Sequence, residues 1–87
     1  MFLKIEFGCD FAVGTDGYRY VKIDDDSTDD YKAEISEEYA YQNFESYSYL
    51  LGDDSSDMDD ASRYWWTNEI VDSIPEGEDF EDLTSNA

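Results

Sequence analysis

The reactive side chains of this 87-residue chain are mainly carboxylates, and many of them are clustered. Residues 24–30 read DDDSTDD and residues 53–57 read DDSSD. Clustered carboxylates can bind divalent cations, catalyse hydrolysis as an acid and base pair, or present negative charge to a basic partner. The chain has no histidine and a single cysteine, Cys9. It therefore lacks the commonest general base and the residues for a Cys/His dyad or a zinc site.

The acidic clusters do not match a known calcium loop. In the register closest to an EF-hand, Asp26, Thr28 and Asp30 take positions one, three and five, and Glu37 takes position twelve. Tyr31 then stands where that loop needs glycine. A catalytic pair of carboxylates would need a supporting cleft, which a marginal core in so short a chain can hardly supply. We therefore predict no enzymatic activity, no specific metal site and no cofactor.

Charge is distributed unevenly along the chain. The 24 acids outnumber five bases, for a net charge of -19. Residues 1–23 hold three acids and three bases, whereas residues 24–87 hold 21 acids and two bases. Such a polyanion is not expected to bind nucleic acid directly or to bind an anionic membrane. Because 40% of the residues are hydrophobic and 17% are aromatic, we predict one folded domain over residues 1–87, with a flexible tail at 78–87.

The apolar pattern predicts the strands and helices that carry the acids. Residues 2–7 and 18–24 alternate like half-buried strands around a Gly-Thr-Asp-Gly turn, and residues 31–35 alternate again. A helix is predicted from Ser36 to Gly52, because Ala40, Phe44, Tyr47 and Leu51 form one stripe. These patterns predict an α+β fold that begins with a small three-stranded antiparallel sheet and continues into this helix.

A second helix is predicted from Met58 to Ser73, with Trp66 and Ile70 on one face and Pro75 ending it. The two helices would pack on one face of the sheet and precede the acidic C-terminal tail. Among the many aromatic residues, the side chains of Tyr20, Tyr39, Tyr41 and Tyr49 are the candidates for partial exposure.

The net charge is large enough for a folded protein of this size to match the charge density of a nucleic acid. Duplex DNA carries one charge per about 1.7 Å, so the net charge of this chain corresponds to roughly 32 Å of duplex. A compact chain of this length is about 30 Å wide, so the two charge densities are comparable. The alternative is a solvated, salt-adapted acidic surface with no such role. Against that alternative, salt adaptation would not require a neutral first segment joined to a segment that holds the whole net charge.

Residues 24–87 resemble the phage-encoded DNA-mimic inhibitors of the anti-CRISPR and anti-restriction type in size, charge, richness in Tyr and Trp, and lack of histidine. The resemblance implies an inhibitor that occupies the nucleic-acid-binding groove of a host defence nuclease, either a CRISPR-Cas effector or a restriction enzyme. Inhibition of another DNA-binding protein, such as uracil-DNA glycosylase, is the alternative target. The protein would act in the host bacterial cytosol, away from membranes, and a homodimer is possible.

The acids expected to contact the partner lie in both clusters and on the predicted helices. They are Asp24, Asp25, Asp26, Asp29, Asp30, Glu34, Glu37, Glu38, Glu45, Asp53, Asp54, Asp57, Asp59, Asp60, Glu69 and Asp72.

Overall fold

One helix packs on a four-stranded mixed sheet. The computed structural model describes residues 1–10, 13–49 and 64–84. Its elements in chain order are β1 (Phe2–Cys9), β2 (Gly17–Lys22), α1 (Asp29–Tyr47), β3 (Tyr64–Val71) and β4 (Phe80–Asp82). The strand order is β3-β1-β2-β4, with β1 antiparallel to both β2 and β3 and with β4 parallel to β2. The prediction of a three-stranded antiparallel sheet with two helices is therefore wrong, although the α+β class is correct.

The β1–β2 hairpin supplies most of the core. Leu3 pairs with Val21 and Phe7 pairs with Gly17, so these positions point to the same face of the sheet. Leu3, Ile5, Phe7, Val21 and Ile23 are almost fully buried there, together with Ile35 and Ala40 of α1. Gly17 is required by packing, because a Cβ at this position would lie 2.7 Å from the Phe7 ring.

Helix α1 begins earlier than the sequence pattern indicated. Thr28 is the N-cap and its side chain accepts a hydrogen bond from the Tyr31 amide at 3.1 Å, while Asp29 and Asp30 occupy the first turn. Residues 31–35, predicted as a strand, are therefore helical. Ser36, predicted to start the helix, is buried within it and donates a hydrogen bond to the Lys32 carbonyl at 2.7 Å. The helix ends at Tyr47, and Gly52, its predicted end, lies outside the described residues.

Strand β3 occupies half of the segment predicted as the second helix; residues 58–63 of that helix are not described. Half-buried Tyr64, Trp66 and Asn68 alternate with exposed Trp65 and Thr67. This period of two is that of a strand with one face on a core, and aromatic residues favour such a surface. The half-buried set faces α1, because Trp66 pairs with Phe7 of β1.

Strand β4 lies within residues 78–87, which were predicted to be an acidic tail. It pairs with β2 through Tyr20, Val21 and Lys22, and the Leu83 amide continues the ladder by donating to the Lys22 carbonyl at 2.8 Å. Leu83 also packs against the main core cluster. The segment is thereby fixed at the edge of the sheet beside α1.

Candidate partner-binding surface

A stripe of acids runs along the solvent side of α1. At about 100° per residue, its members fall within roughly 100° of arc. All are exposed, and we call them the α1 stripe: Asp30, Glu34, Glu37, Glu38 and Glu45. The opposite side of the helix is anchored, because Ile35, Ser36, Ala40 and Phe44 are buried against the sheet. The stripe is therefore held on a packed element, with its carboxylates in water.

Most charge on the α1 stripe is not neutralised by neighbouring bases. Glu34, Glu38 and Glu45 form no salt bridge with any residue in the described part of the chain. Glu37 lies beside the Tyr64 hydroxyl, and burial together with Glu37 raises the pKa of that phenol. Charge left unpaired in this way is available to an approaching cationic surface.

The DDDSTDD segment leads into the same end of α1. Asp25 pairs with the amino group of Met1 at 2.7 Å, which holds the pKa of that carboxyl below its usual value. Asp29 pairs with Lys32 at 3.2 Å. The Asp24 carbonyl accepts hydrogen bonds from both the amide and the hydroxyl of Ser27. Part of this cluster thus shapes the loop and the helix N-terminus, in addition to carrying charge.

A second acidic row lies along β4 and the turn before it. It was not predicted as a site, and we call it the β4 row: Glu76, Glu78, Asp79, Glu81 and Asp82. Several members are oriented by hydrogen bonds. Tyr18 donates to Glu78 at 2.8 Å, Tyr39 donates to Glu81, and Thr84 donates to Asp82 from its amide at 3.0 Å and from its hydroxyl at 2.6 Å. The Thr84 bonds lower the pKa of Asp82.

A groove of about 400 Å³, the α1–β4 groove, lies between Glu34 and Glu38 of the α1 stripe and Glu81 of the β4 row. Ile35 and Leu83, buried and half-buried, contribute its apolar surface. Its other lining residues are Tyr31, Glu34, Glu38, Tyr39, Gln42 and Glu81. Carboxylates thus come from both elements beside an apolar surface.

The remaining acids of the predicted site lie on β3, just after it, or outside the described residues. Glu69 is exposed on β3 and pairs across the ladder with Lys4, on the face of the sheet that α1 does not cover. Asp72 is exposed just after β3. The five acids of residues 53–60 lie outside the described residues: Asp53, Asp54, Asp57, Asp59 and Asp60.

The helix-free face of the sheet carries aromatic rings as well as acids. Lys4 lies 5.6 Å from the ring centre of Tyr18 and 6.0 Å from that of Tyr20, within range of cation–π attraction. Trp65 crosses over Gly8, where a Cβ would approach its ring to 2.8 Å. Among the tyrosines expected to be exposed, Tyr49 is 72% exposed, Tyr39 and Tyr41 are half-buried, and Tyr20 is buried.

The described residues offer little for covalent or metal chemistry. Cys9 is buried, and this burial raises the pKa of its thiol, which keeps it protonated. No group of three or more Cys, Asp or Glu residues in the described ranges is placed to hold a metal ion. In those same ranges, no helix is long and apolar enough to cross a membrane.

Comparisons of the chain with protein-family models, with curated protein sequences and with solved structures gave no match.

Proposed function

We propose that this protein is a DNA-mimic inhibitor, which occupies the nucleic-acid-binding groove of a basic host protein and excludes the substrate by competition. The observation that carries the proposal is the α1 stripe, a row of exposed carboxylates on an anchored helix. Glu81 of the β4 row, on the other side of the α1–β4 groove, adds charge from a second element.

The charge density of the α1 stripe is close to that of one DNA strand. Asp30 and Glu45 lie about 22 Å apart along the helix axis, at roughly 1.5 Å per residue. One strand of duplex presents a phosphate every 3.4 Å, and hence about six or seven over that length. The α1 stripe presents five carboxylates. A groove built for phosphates would therefore meet a similar number of anions over a similar length.

The packing of α1 on the sheet holds the carboxylates of the α1 stripe in fixed positions. Phe44 is fully buried and Ala40 is 1% exposed, so the helix cannot leave the sheet without exposing its apolar side. Carboxylates held on a packed helix lose less conformational entropy on binding than carboxylates on a disordered chain. The proposed partner is a defence nuclease of the CRISPR-Cas or restriction type in the host bacterial cytosol, with uracil-DNA glycosylase as the alternative.

Competition with DNA tests the proposal. A fluorescent 30-base-pair duplex would be bound in turn to a restriction endonuclease, a guide-loaded CRISPR effector and uracil-DNA glycosylase, and then titrated with the protein. We expect release of the duplex from at least one of these enzymes, with one protein per enzyme and weaker inhibition at higher salt. Release from none of the three, or equal binding to a basic protein that has no nucleic-acid groove, rejects the proposal.

Two variants of equal charge locate the surface. The stripe variant carries Glu34→Gln, Glu38→Gln and Glu45→Gln. The control carries Glu6→Gln, Glu69→Gln and Asp72→Asn, at positions away from the stripe. At roughly 0.5–1 kcal/mol per exposed charge pair, the stripe variant should lose about tenfold to a hundredfold in inhibition, and the control much less. Equal losses would show that bulk charge, rather than the α1 stripe, governs binding.

The salt-adapted alternative predicts a different folding behaviour. A protein adapted to high salt should unfold in dilute buffer and fold only near molar salt, whereas an inhibitor in an ordinary cytosol must fold at low ionic strength. Circular dichroism melts at 0.05 M and 1 M sodium chloride distinguish the two. We expect a cooperative melt at the lower concentration, because the aromatic core offsets the repulsion.

A further inference from the structure

The α1–β4 groove combines three features in one place. Its apolar side is formed by Ile35 and Leu83, two tyrosine rings line it, and carboxylates reach it from both elements. Glu34 and Glu38 are four residues apart on α1, so their side chains project as neighbours about 6 Å apart. Glu81 reaches the groove from β4.

We propose that the α1–β4 groove binds one arginine side chain of the partner, which gives the inhibitor an anchor beyond its general charge. This proposal rests on the proposed function. A guanidinium group is planar, is less strongly hydrated than an ammonium group, and presents its donors as a fork that matches a carboxylate. Its plane can stack on a tyrosine ring, and its aliphatic stem can cover the apolar surface of Ile35. Lysine shares only the charge and the stem.

The size of the groove suits a single side chain. Pockets of roughly 300–1,000 Å³ hold drug-sized ligands, so a groove of about 400 Å³ lies at the small end of that range. It is large enough for an arginine head and stem. This matches the hot spots of protein interfaces, where arginine is enriched in well-packed central pockets.

The Tyr39–Glu81 hydrogen bond prepares the groove for this ligand. The phenol of Tyr39 donates to Oε2 of Glu81 across the groove. Burial, followed by this bond, raises the pKa of Tyr39, so the phenol remains a donor at neutral pH. One oxygen of Glu81 is thus oriented by the protein, and the other is left for a guanidinium.

In the described part of the chain the arginine is Arg19, and its side chain is held outside the groove. Its guanidinium donates to the Tyr18 carbonyl at 2.8 Å and lies 5.8 Å from the ring centre of Phe7. Arg19 is not among the residues that line the groove, although its charge acts on Tyr39. The carboxylates Glu34 and Glu38 form no salt bridge with it or with any other described base.

Two capped tripeptides, acetyl-Gly-Arg-Gly-amide and acetyl-Gly-Lys-Gly-amide, provide the test. Each would be titrated into ¹⁵N-labelled protein at low salt and followed by NMR. We expect the arginine peptide to bind at least about threefold more tightly than the lysine peptide, because it alone offers the fork and the stacking plane. The largest shifts should fall on the amides of Ile35, Gln42 and Leu83.

A matched pair of variants assigns the binding to the groove. Glu34→Gln with Glu38→Gln removes two charges from the groove, and Glu69→Gln with Asp72→Asn removes two exposed charges that do not line it. The first pair should abolish the preference for arginine, whereas the second should leave it intact. Tyr39→Phe, which releases Glu81 without changing charge, should reduce the preference for arginine but leave lysine binding unchanged.

The outcomes separate this proposal from the proposed function. Equal affinity for the two peptides, or shifts spread evenly over the acidic surface, overturns the arginine site even if the parent protein still displaces duplex DNA. Arginine selectivity in a protein that displaces DNA from no enzyme leaves the groove as an arginine site and rejects the mimic.

Discussion

The contact between Ser36 and Asn68 provides a direct test of the packing of β3 on α1. Ser36 is fully buried, and its hydroxyl accepts a hydrogen bond from the Asn68 side chain at 2.8 Å while donating to the Lys32 carbonyl at 2.7 Å. We predict that Ser36→Ala and Asn68→Ala are coupled in a double-mutant cycle. Replacing both residues should cost less stability than the sum of the two single changes, because one hydrogen bond is lost only once.

The size of the coupling follows from the hydrogen bond. A net contribution of about 0.5–1.5 kcal/mol is typical for one bond inside a protein, so we expect a coupling near 1 kcal/mol. The better helix propensity of alanine at position 36 changes the free energy of unfolding of the Ser36→Ala variant, but this cancels in the cycle. In a domain of this size, 1 kcal/mol corresponds to a shift in melting temperature of about 4–8 °C.

Urea unfolding of the parent, the two single variants and the double variant measures the coupling. Ser36→Ala with Thr67→Ala is the control cycle, because Thr67 lies on the opposite face of β3 and should be additive with Ser36 within about 0.3–0.5 kcal/mol. If the Ser36–Asn68 cycle is equally additive, β3 does not pack on α1 in this register. The anchoring of the α1 stripe would then need another explanation.

Three further changes probe the helix and the groove. Thr28→Ala removes the N-cap of α1 and should lower the free energy of unfolding by about 1 kcal/mol in urea titrations; no loss would argue against a helix start at Asp29. Phe44→Ala empties a fully buried site and should cost about 3–5 kcal/mol; a loss below about 1 kcal/mol would show that Phe44 is not in a core. Tyr39 has a raised pKa in the folded state, so its stabilisation is complete below the unfolded value of about 10 and is lost as pH rises above it. Melting temperatures should therefore fall more steeply above pH 10 in the parent than in Tyr39→Phe, and identical slopes would contradict the raised pKa.

The β1–β2 hairpin and the helical apolar positions Ala40 and Phe44 were predicted correctly. The first pattern fits only the period of a strand, and the second fits only that of a helix. The prediction failed at residues 31–35, where Tyr31 and Ile35 fit both an alternating strand and two successive turns of one helix face. Thr28 decides between them as a helix cap, although it lies inside DDDSTDD among five aspartates. Thr28 as the N-cap, followed by Asp29 and Asp30 in the first turn, indicates a helix start within these seven residues.

Strand β3 was misassigned because Trp66 and Ile70 are four residues apart, which suits one face of a helix. The neighbouring residues carried the contrary signal, since Tyr, Trp, Thr, Ile and Val within Tyr64–Val71 all favour strands. Strand β4 could not be predicted, because three residues, Phe80–Asp82, are too few to show a period. Consequently, the sequence identified the acids of α1 as candidate residues but did not identify the β4 row or the groove between them.

The uneven charge along the sequence has a structural cause. The neutral first 23 residues contain β1 and β2, the two central strands, and five of the seven residues in the main core cluster. Central strands face neighbours on both sides, so an unpaired charge there would be costly to bury. Helix α1 and strands β3 and β4 surround this centre, and each leaves one side in water where carboxylates are tolerated. Accordingly, 21 of the 24 acids follow residue 23 in the sequence. The same division brings Glu34 and Glu38 of the α1 stripe and Glu81 of the β4 row to a single groove, where a basic partner can reach all three.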